Sequence, residues 1–307
     1  MRADRIAPHA ITEIVNLYVP VGVAGERMPA PLLRALVRHA ITLLSCIGAA
    51  APAVCSAGMS APLPLKPLRL LTVNIHKGFN AFNQRFVLHE LREAVRALGS
   101  DLVFLQEVEG GTGGVGAQYE FLADAIWPEH AYGRNAVAEG QDHGNAVLSR
   151  LPVLRSQNHD VSLPGAEPRG LLHCVLARPG SAPALHVMCV HLGLSEMHRR
   201  HQLAQLCQTV QREVPPDAPL VVAGDFNDWR LRADALLAAS GLHEVFRRAF
   251  GQHARSFPAR WPLLRLDRIY VRGVVAARPL PMPRRPWSWL SDHAPLAAEI
   301  DLPALLS

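Results

Sequence analysis

The sequence predicts an α+β fold in which two β-sheets pack face to face and carry helices on their outer sides. Eight short runs are rich in apolar and β-branched residues and are too short for helices. Several, LHVMCV at 185–190 above all, are apolar at consecutive positions, so protein must cover both of their faces. Helical periodicity is confined to a few stretches between the runs. Packed layers are how one chain buries sheet faces and helix stripes together.

The first expected strand, 68–73, follows a Pro-rich stretch at 61–67 that no strand tolerates. A helix over 85–98 comes next, because Leu88, Leu91, Val95 and Leu98 fall on one face. Strands at 102–105, 145–148, 171–176 and 185–190 follow. Ser195 then stands at the head of a longer helix carrying Leu203, Leu206 and Val210. After a strand at 220–223, a helix over 232–240 stops at Gly241, and strands at 269–271 and 296–300 close one domain of about 67–303. No internal repeat is evident.

Composition narrows the function. The 307 residues are 49% hydrophobic and 19% charged, which excludes collagen-like and disordered classes. The nearest approach to a clean span of about 20 apolar residues is 40–57, interrupted by Pro52, so a polytopic membrane protein is excluded. Of the net +5, five Arg against three acids in 1–58 supply +2, leaving +3 for the rest. Because 29 of the 31 basic residues are Arg, a skew that the base composition of a gene produces, charge argues only weakly for a polyanionic partner. Cys46, Cys55, Cys174, Cys189 and Cys207 are odd in number and form no CxxC pair, which suggests neither a disulfide framework nor a zinc ribbon.

Residues 1–66 lack clean periodicity and leave two readings open. A start at Met28 gives an export signal, with Arg34 and Arg38, an apolar 40–54 and a small-residue cleavage site at Cys55-Ser56-Ala57. A start near Met59, which is the expectation adopted, gives a cytoplasmic enzyme whose unpaired cysteines suit a reducing compartment.

Polar residues at the strand ends carry the chemistry: Asn74, Glu107, His191, Asp225 with Asn227, and Asp292-His293 before the last strand. Ligand sites gather at strand ends, so one shared crevice is the simplest arrangement. Carboxylates with an amide oxygen are hard donors that suit Mg²⁺ or Mn²⁺ rather than zinc, and a phosphate is the natural ligand to share such an ion.

The motifs TVNIHKG (72–78), LQEV (105–108), HGNAVLSR (143–150), VHLG (190–193), GDFND (224–228), LDRIYV (266–271) and SDHAPL (291–296), in this order, resemble the endonuclease/exonuclease/phosphatase superfamily. NIHKGFNAFN (74–83), YGRNAV (132–137) and LLRLDRIYV (263–271) look like an uncharacterised bacterial branch of it, which brings no substrate. The resemblance covers about 67–303 and implies a four-layered αββα sandwich of two mixed sheets that hydrolyses phosphoesters with a divalent metal. It implies Glu107 as principal metal ligand with Asn74 and Asp292 beside it. Asp225 would take a proton from the attacking water, Asn227 would position water or phosphate, and His293 would contact phosphate with its tautomer fixed by Asp267. His191 would add a second imidazole, and Arg169 and Asn145 phosphate contacts. His76 departs from the carboxylate or amide common at that place, so the resemblance does not carry an extra metal ligand over to it.

Blander readings stand beside these. Asn145 also reads as bonding a neighbouring turn, His143 and Lys77 as surface residues, and His198 to His201 with Arg199 and Arg200 as a solvated basic face rather than a zinc site. Cys174 and Cys189 read as core thiols. GTGGVG at 111–116 satisfies the dinucleotide-binding GxGxxG but lacks the second strand ending in an acid, so an oxidoreductase is a remote alternative. A non-enzymatic phosphate-binding module is opposed by the presence of both Glu107 and Asp225. The segment 281–293, with Arg284, Arg285, Trp287 and Trp289, is expected at the crevice lip, where its rings stack on bases, meet lipid or fold into the core. The expected activity is a phosphodiesterase on a small or lipid phosphodiester, with a DNA or RNA nuclease as the alternative and no obligate protein partner.

Overall fold

A computed structural model describes residues 66–111, 116–138, 141–178 and 183–303. Both readings of the chain start, and most of the glycine run at 111–116, lie outside the described residues. The first sheet contains β1 (Leu68–Asn74), β2 (Leu102–Glu109), β3 (Glu129–Ala138), β4 (Gln141–Ser149), β11 (Ala276–Leu280) and β12 (Leu296–Asp301), in the order β11-β12-β1-β2-β4-β3. The second contains β5 (Val153–Asp160), β6 (Gly170–Leu176), β7 (Leu185–His191), β8 (Leu220–Asp225), β9 (His243–Glu244) and β10 (Asp267–Arg272), in the order β5-β6-β7-β8-β10-β9. Six α-helices among the described residues accompany them: α1 (Leu88–Ala97), α2 (Gln118–Ala123), α3 (Glu196–Glu213), α4 (Ala233–Ala238), α5 (Val245–Phe250) and α6 (Trp287–Leu290).

Each sheet has one parallel pair, β1 with β2 and β7 with β8, and the other pairings are antiparallel. A parallel pair needs a crossover, which α1 supplies in the first sheet and α3 in the second. Both strands of each pair therefore end on the same side. The period-2 alternation explains the unbroken apolar runs. In β7, Val187 and Cys189 enter the core between the sheets, while Met188 and Val190 meet the side chains of α3. In β1, Leu70 joins the inner core and Leu71 and Val73 pack under α1. Cys174 and Cys189 are inner-core residues, and burial pushes both thiols up to about 12.

Several boundaries differ from expectation. Helix α1 starts at Leu88 rather than at Arg85, because Asn80 Oδ1 accepts the backbone N–H groups of Phe82, Gln84 and Arg85 and holds that stretch in a loop. Ser195 occupies the N-cap of α3, but its side chain makes no capping bond. Arg199 is not solvated. It is buried and donates to the carbonyls of Gly193 and Leu194, tying the start of α3 to the loop before it. Trp287 folds into the core beneath the first sheet, so of the two lip tryptophans only Trp289 stays partly exposed. Among the described residues no helix is long and apolar enough to cross a membrane.

Asp234 ties α4 to the second sheet. Its Oδ1 accepts from the Tyr270 hydroxyl at 2.5 Å, its Oδ2 lies 2.9 Å from His253 Nε2, and Arg247 pairs with the same oxygen. Burial works against its charge, but these three partners prevail and hold the carboxyl below its ordinary 3.8. A depressed carboxylate contributes stability that is present above the unfolded value and lost as pH falls through the folded one. Asp234→Asn is expected to cost about 2 kcal/mol at pH 7. Urea unfolding at pH 7 and pH 3 checks this, since the variant should lose less on acidification than the wild type.

Candidate active site

The site forms where the ends of the two parallel pairs face each other. On β2, the pairing with β4 shifts between Leu105 and Val108, and Glu107 sits in that bulge with φ 55. A left-handed backbone at a glutamate costs on the order of 1–3 kcal/mol. It turns the carboxylate out of the strand's alternation, as bulges near functional sites do. Asn74, at the end of β1, donates through Nδ2 to Glu107 Oε1 at 3.1 Å and to Asp225 Oδ2 at 3.3 Å, so one amide joins the two sheets. Its Oδ1 accepts the backbone N–H of His76 at 3.0 Å. Ser291 Oγ donates to the Asn74 carbonyl at 2.7 Å and accepts from His293 N at 3.2 Å, which docks the 291–293 turn onto β1.

Register builds the other half. His191 on β7 pairs with Asp225 on β8, and Asp225 pairs with Asp267 on β10, so the three stand in one row across the second sheet. Gly224 allows this approach, because with φ 146 a Cβ there would run into the Val190 carbonyl. Asp225 Oδ1 accepts from Asn227 N at 2.9 Å. Its Oδ2 lies 3.5 Å from His191 Nε2 and 3.7 Å from His293 Nε2. The other nitrogen of His293, Nδ1, is 2.8 Å from Asp267 Oδ2. Ser256 Oγ accepts the N–H groups of Leu266 and Asp267 and fixes the start of β10.

Charge follows from this burial. Desolvation raises the Asp225 carboxyl, and Asp267 adds to it, although the His293 imidazolium opposes. Burial works against charge on His293, yet Asp267 and Asp225 outweigh it and hold the ring cationic. His191 is kept neutral by burial, with Arg169 and His293 adding. The site thus presents one neutral and one charged imidazole to the same carboxylate oxygen.

The remaining candidates lie around this centre. Asp292 Oδ1 is 3.8 Å from His76 Nδ1 at the more open side. Arg169 is buried and held by Glu167 at 2.7 Å, and a contact with His143, against the cost of burial and aided by Arg169, pulls Glu167 down to about 2. Asn145 donates to the carbonyls of Gly170 at 3.0 Å and Cys189 at 3.4 Å, stitching β4 to the second sheet, and its Oδ1 is left unpartnered. Asn227 Nδ2 is engaged by the Leu192 carbonyl at 2.9 Å. Contacts therefore join Asn74, Glu107, His191, Asp225, Asn227, Asp267 and His293 directly, and Asp292 through Ser291.

The residues fit a hard divalent cation. Glu107 and Asp292 could supply oxygen donors, and His76 Nδ1, 3.8 Å from Asp292 Oδ1, is buried without a hydrogen-bond partner. Asn74 turns its nitrogen toward Glu107 in this geometry, so acting as a ligand would require its amide to rotate. Asp225, Asp267 and His293 also lie close enough to share an ion. The 2.8 Å spacing of Asp267 and His293, however, is that of a hydrogen bond. Sequence reasoning set His76 aside and did not single out Ser256 or Glu167. His76 and Lys77 both adopt left-handed backbone in a short turn, for which the adjacent Gly78 was the only local signal.

Residues 71–293 match the Endonuclease/Exonuclease/phosphatase family. The uncharacterized protein YbhP of Escherichia coli K12 is 54% identical over 244 residues, which span 76% of this chain and 96% of that protein. Among solved structures, an endonuclease/exonuclease/phosphatase from Beutenbergia cavernae superposes with TM-score 0.61 at 22% identity, covering 77% of this chain and 72% of its own. The human Nocturnin catalytic domain with bound sulfate anion gives TM-score 0.63 at 18% identity, covering 78% and 95%. Both structures share the two-sheet α+β sandwich. The chain belongs to the endonuclease/exonuclease/phosphatase family, whose members are hydrolytic enzymes that generally use a divalent metal.

Proposed function

We propose that the protein is a Mg²⁺- or Mn²⁺-dependent phosphodiesterase acting on a small or lipid phosphodiester. The observation that carries this reading is the convergence of His191, His293 and Asn74 on Asp225 Oδ2, with Glu107 on the far side of the same amide. A divalent ion held by Glu107, with Asn74 and Asp292, would polarise the phosphoryl group and the attacking water. Asp225 accepts the proton that water loses as its oxygen bonds to phosphorus, in line with the leaving oxygen. One carboxylate oxygen is fixed by Asn227 N, and the other, which accepts from Asn74 Nδ2, would take the proton. His293, oriented and kept charged by Asp267, donates from Nε2 to a phosphoryl oxygen. His191 would add a second imidazole at the phosphate or leaving group, and Arg169 adds positive charge close by.

The substrate reading rests on the surface beside Asp292. A cavity of about 530 Å³ is lined by Phe82, Arg260, Trp261, Arg284, Arg285 and Trp289, among others, with three arginines and no carboxylate. A hydrogen bond from Ala259 N to the Asp292 carbonyl ties one wall to the site, and one from Ala81 N to the Trp289 carbonyl joins two of its sides. Such a wall suits an anionic substrate with an apolar part. One observation favours nucleic acid instead: Trp261 is exposed, with the Arg260 guanidinium 4.7 Å from its ring centre.

A side-by-side assay with phospholipid vesicles, single-stranded DNA, duplex DNA, RNA and bis-p-nitrophenyl phosphate tests the reading. Metal-dependent turnover of the small diester and of lipid is expected. Salt-sensitive cleavage of nucleic acid without lipid turnover, lost in Trp261→Ala/Trp289→Ala while the small diester is still hydrolysed, would overturn the substrate and keep the mechanism.

A further inference from the structure

We propose that His159, His173 and Glu213 form a second metal site, which takes one borderline divalent ion such as Zn²⁺ and clasps β5 and β6 to the C-terminal end of α3. The two histidines stand on neighbouring strands of the second sheet, and Glu213 is the last residue of the helix. Glu213 Oε2 lies 3.2 Å from His159 Nε2 and 3.3 Å from His173 Nδ1, and the three ligand atoms are within 4.8 Å of one another. Bonds of 2.0–2.2 Å to a tetrahedral ion put neighbouring ligands about 3.3 Å apart. The two nitrogen–oxygen spacings therefore match two edges of such a tetrahedron.

Three further features support a ligand role. His159 Nε2 is buried yet makes no hydrogen bond, so a polar atom aimed at the carboxylate is left unsatisfied. His173 Nε2 lies 3.0 Å from His186 Nδ1. When His173 donates its Nε2–H there, the Nδ1 lone pair faces Glu213, as happens where a ligating histidine is oriented by a partner on its other nitrogen. The His159 and Glu213 side chains are 11% and 14% exposed, which leaves a way in and a fourth position for water.

Two arginines share the carboxylate. Arg212 Nη2 bonds Oε1 at 3.0 Å, while Arg155, whose side chain is 55% exposed, makes a long 3.5 Å contact with the Oε2 that the histidines share. The nitrogen-rich set suits Zn²⁺, in contrast to the oxygen donors of the hydrolytic site. The two centres are also apart: His173 pairs with Met188, three residues from His191 along β7, about 10 Å at 3.3 Å per residue.

The full chain, stripped with chelator and supplied with excess Mg²⁺, is to be titrated with Zn²⁺ against a chromophoric chelator. One zinc equivalent should survive in Asp225→Asn and weaken about 100-fold or more in His159→Gln. The same equivalent should weaken about 10- to 100-fold in His186→Gln, where only the partner of His173 is removed. Zinc should raise the melting temperature of the wild type and not of His159→Gln. Crystals grown with zinc should show its anomalous signal between His159, His173 and Glu213. Undiminished zinc affinity in His159→Gln, or an anomalous signal confined to the Asp225–His293 region, overturns the site. Because His159 is at the surface edge of the cluster, this variant decides the matter even if His173→Gln fails to fold.

Discussion

Glu107→Gln is expected to lower metal-dependent hydrolysis of bis-p-nitrophenyl phosphate on the order of 10³-fold or more, since a bound metal stabilises the transition state by several kcal/mol. The change keeps the side chain's size and leaves Oε1 able to accept from Asn74 Nδ2, now 3.1 Å away. The chain should therefore stay folded, with a urea midpoint close to that of the wild type. What disappears is the negative charge that the strained backbone at this position holds toward the mouth of the site. Raising Mg²⁺ or Mn²⁺ should recover part of the rate, because the defect is in metal affinity. Wild-type turnover in this variant, or undiminished turnover of the wild type in excess chelator, would sink the metal-dependent reading.

The eight strands expected from apolar runs are all present, and each is longer than its run. The four that escaped notice, β3, β5, β9 and β11, are the four edges of the two sheets. An edge strand needs no apolar residue on both faces: β5 reads VLRSQNHD and is largely exposed, β11 contains Pro279, and β9 has two residues. Inner strands announce themselves through two-sided burial and edges do not. The site was legible for the same reason, because an abrupt polar residue at the end of a buried strand stands out. Less legible was geometry made by the backbone or by distant pairing. The bulge that turns Glu107 outward has no composition signal, and the amide bridge from Asn74 to Asp225 joins residues 151 apart in sequence. Nothing in the sequence links His159 and His173, because their shared partner, Glu213, is reached only when α3 packs on the sheet.

The roles of Asp225 and Asp267 separate in a pair of substitutions. Asp225→Asn removes the proton acceptor and should lower turnover about 10²- to 10⁴-fold, the range for a positioned general base. Asp267→Asn should lower it about 10- to 100-fold, as loss of a partner that orients an imidazole does. Its carboxylate touches His293 Nδ1 at 2.8 Å and is fully buried, so the asparagine can still fill the space but no longer anchors the imidazolium with a charge. Metal affinity, read by isothermal titration with Mn²⁺, should stay near wild type in Asp267→Asn. Both carboxylates flank the same ring, Asp267 at Nδ1 and Asp225 at 3.7 Å from Nε2, so their effects on rate should not add. Once Asp225 no longer takes the proton, orienting His293 correctly has less left to assist, and the double variant should be little slower than Asp225→Asn alone. Fully multiplicative losses would mean that Asp267 acts independently of this proton transfer. A loss of metal affinity in Asp267→Asn as large as that in Glu107→Gln would make Asp267 a ligand, and His293 would then owe its orientation to the ion rather than to a hydrogen bond.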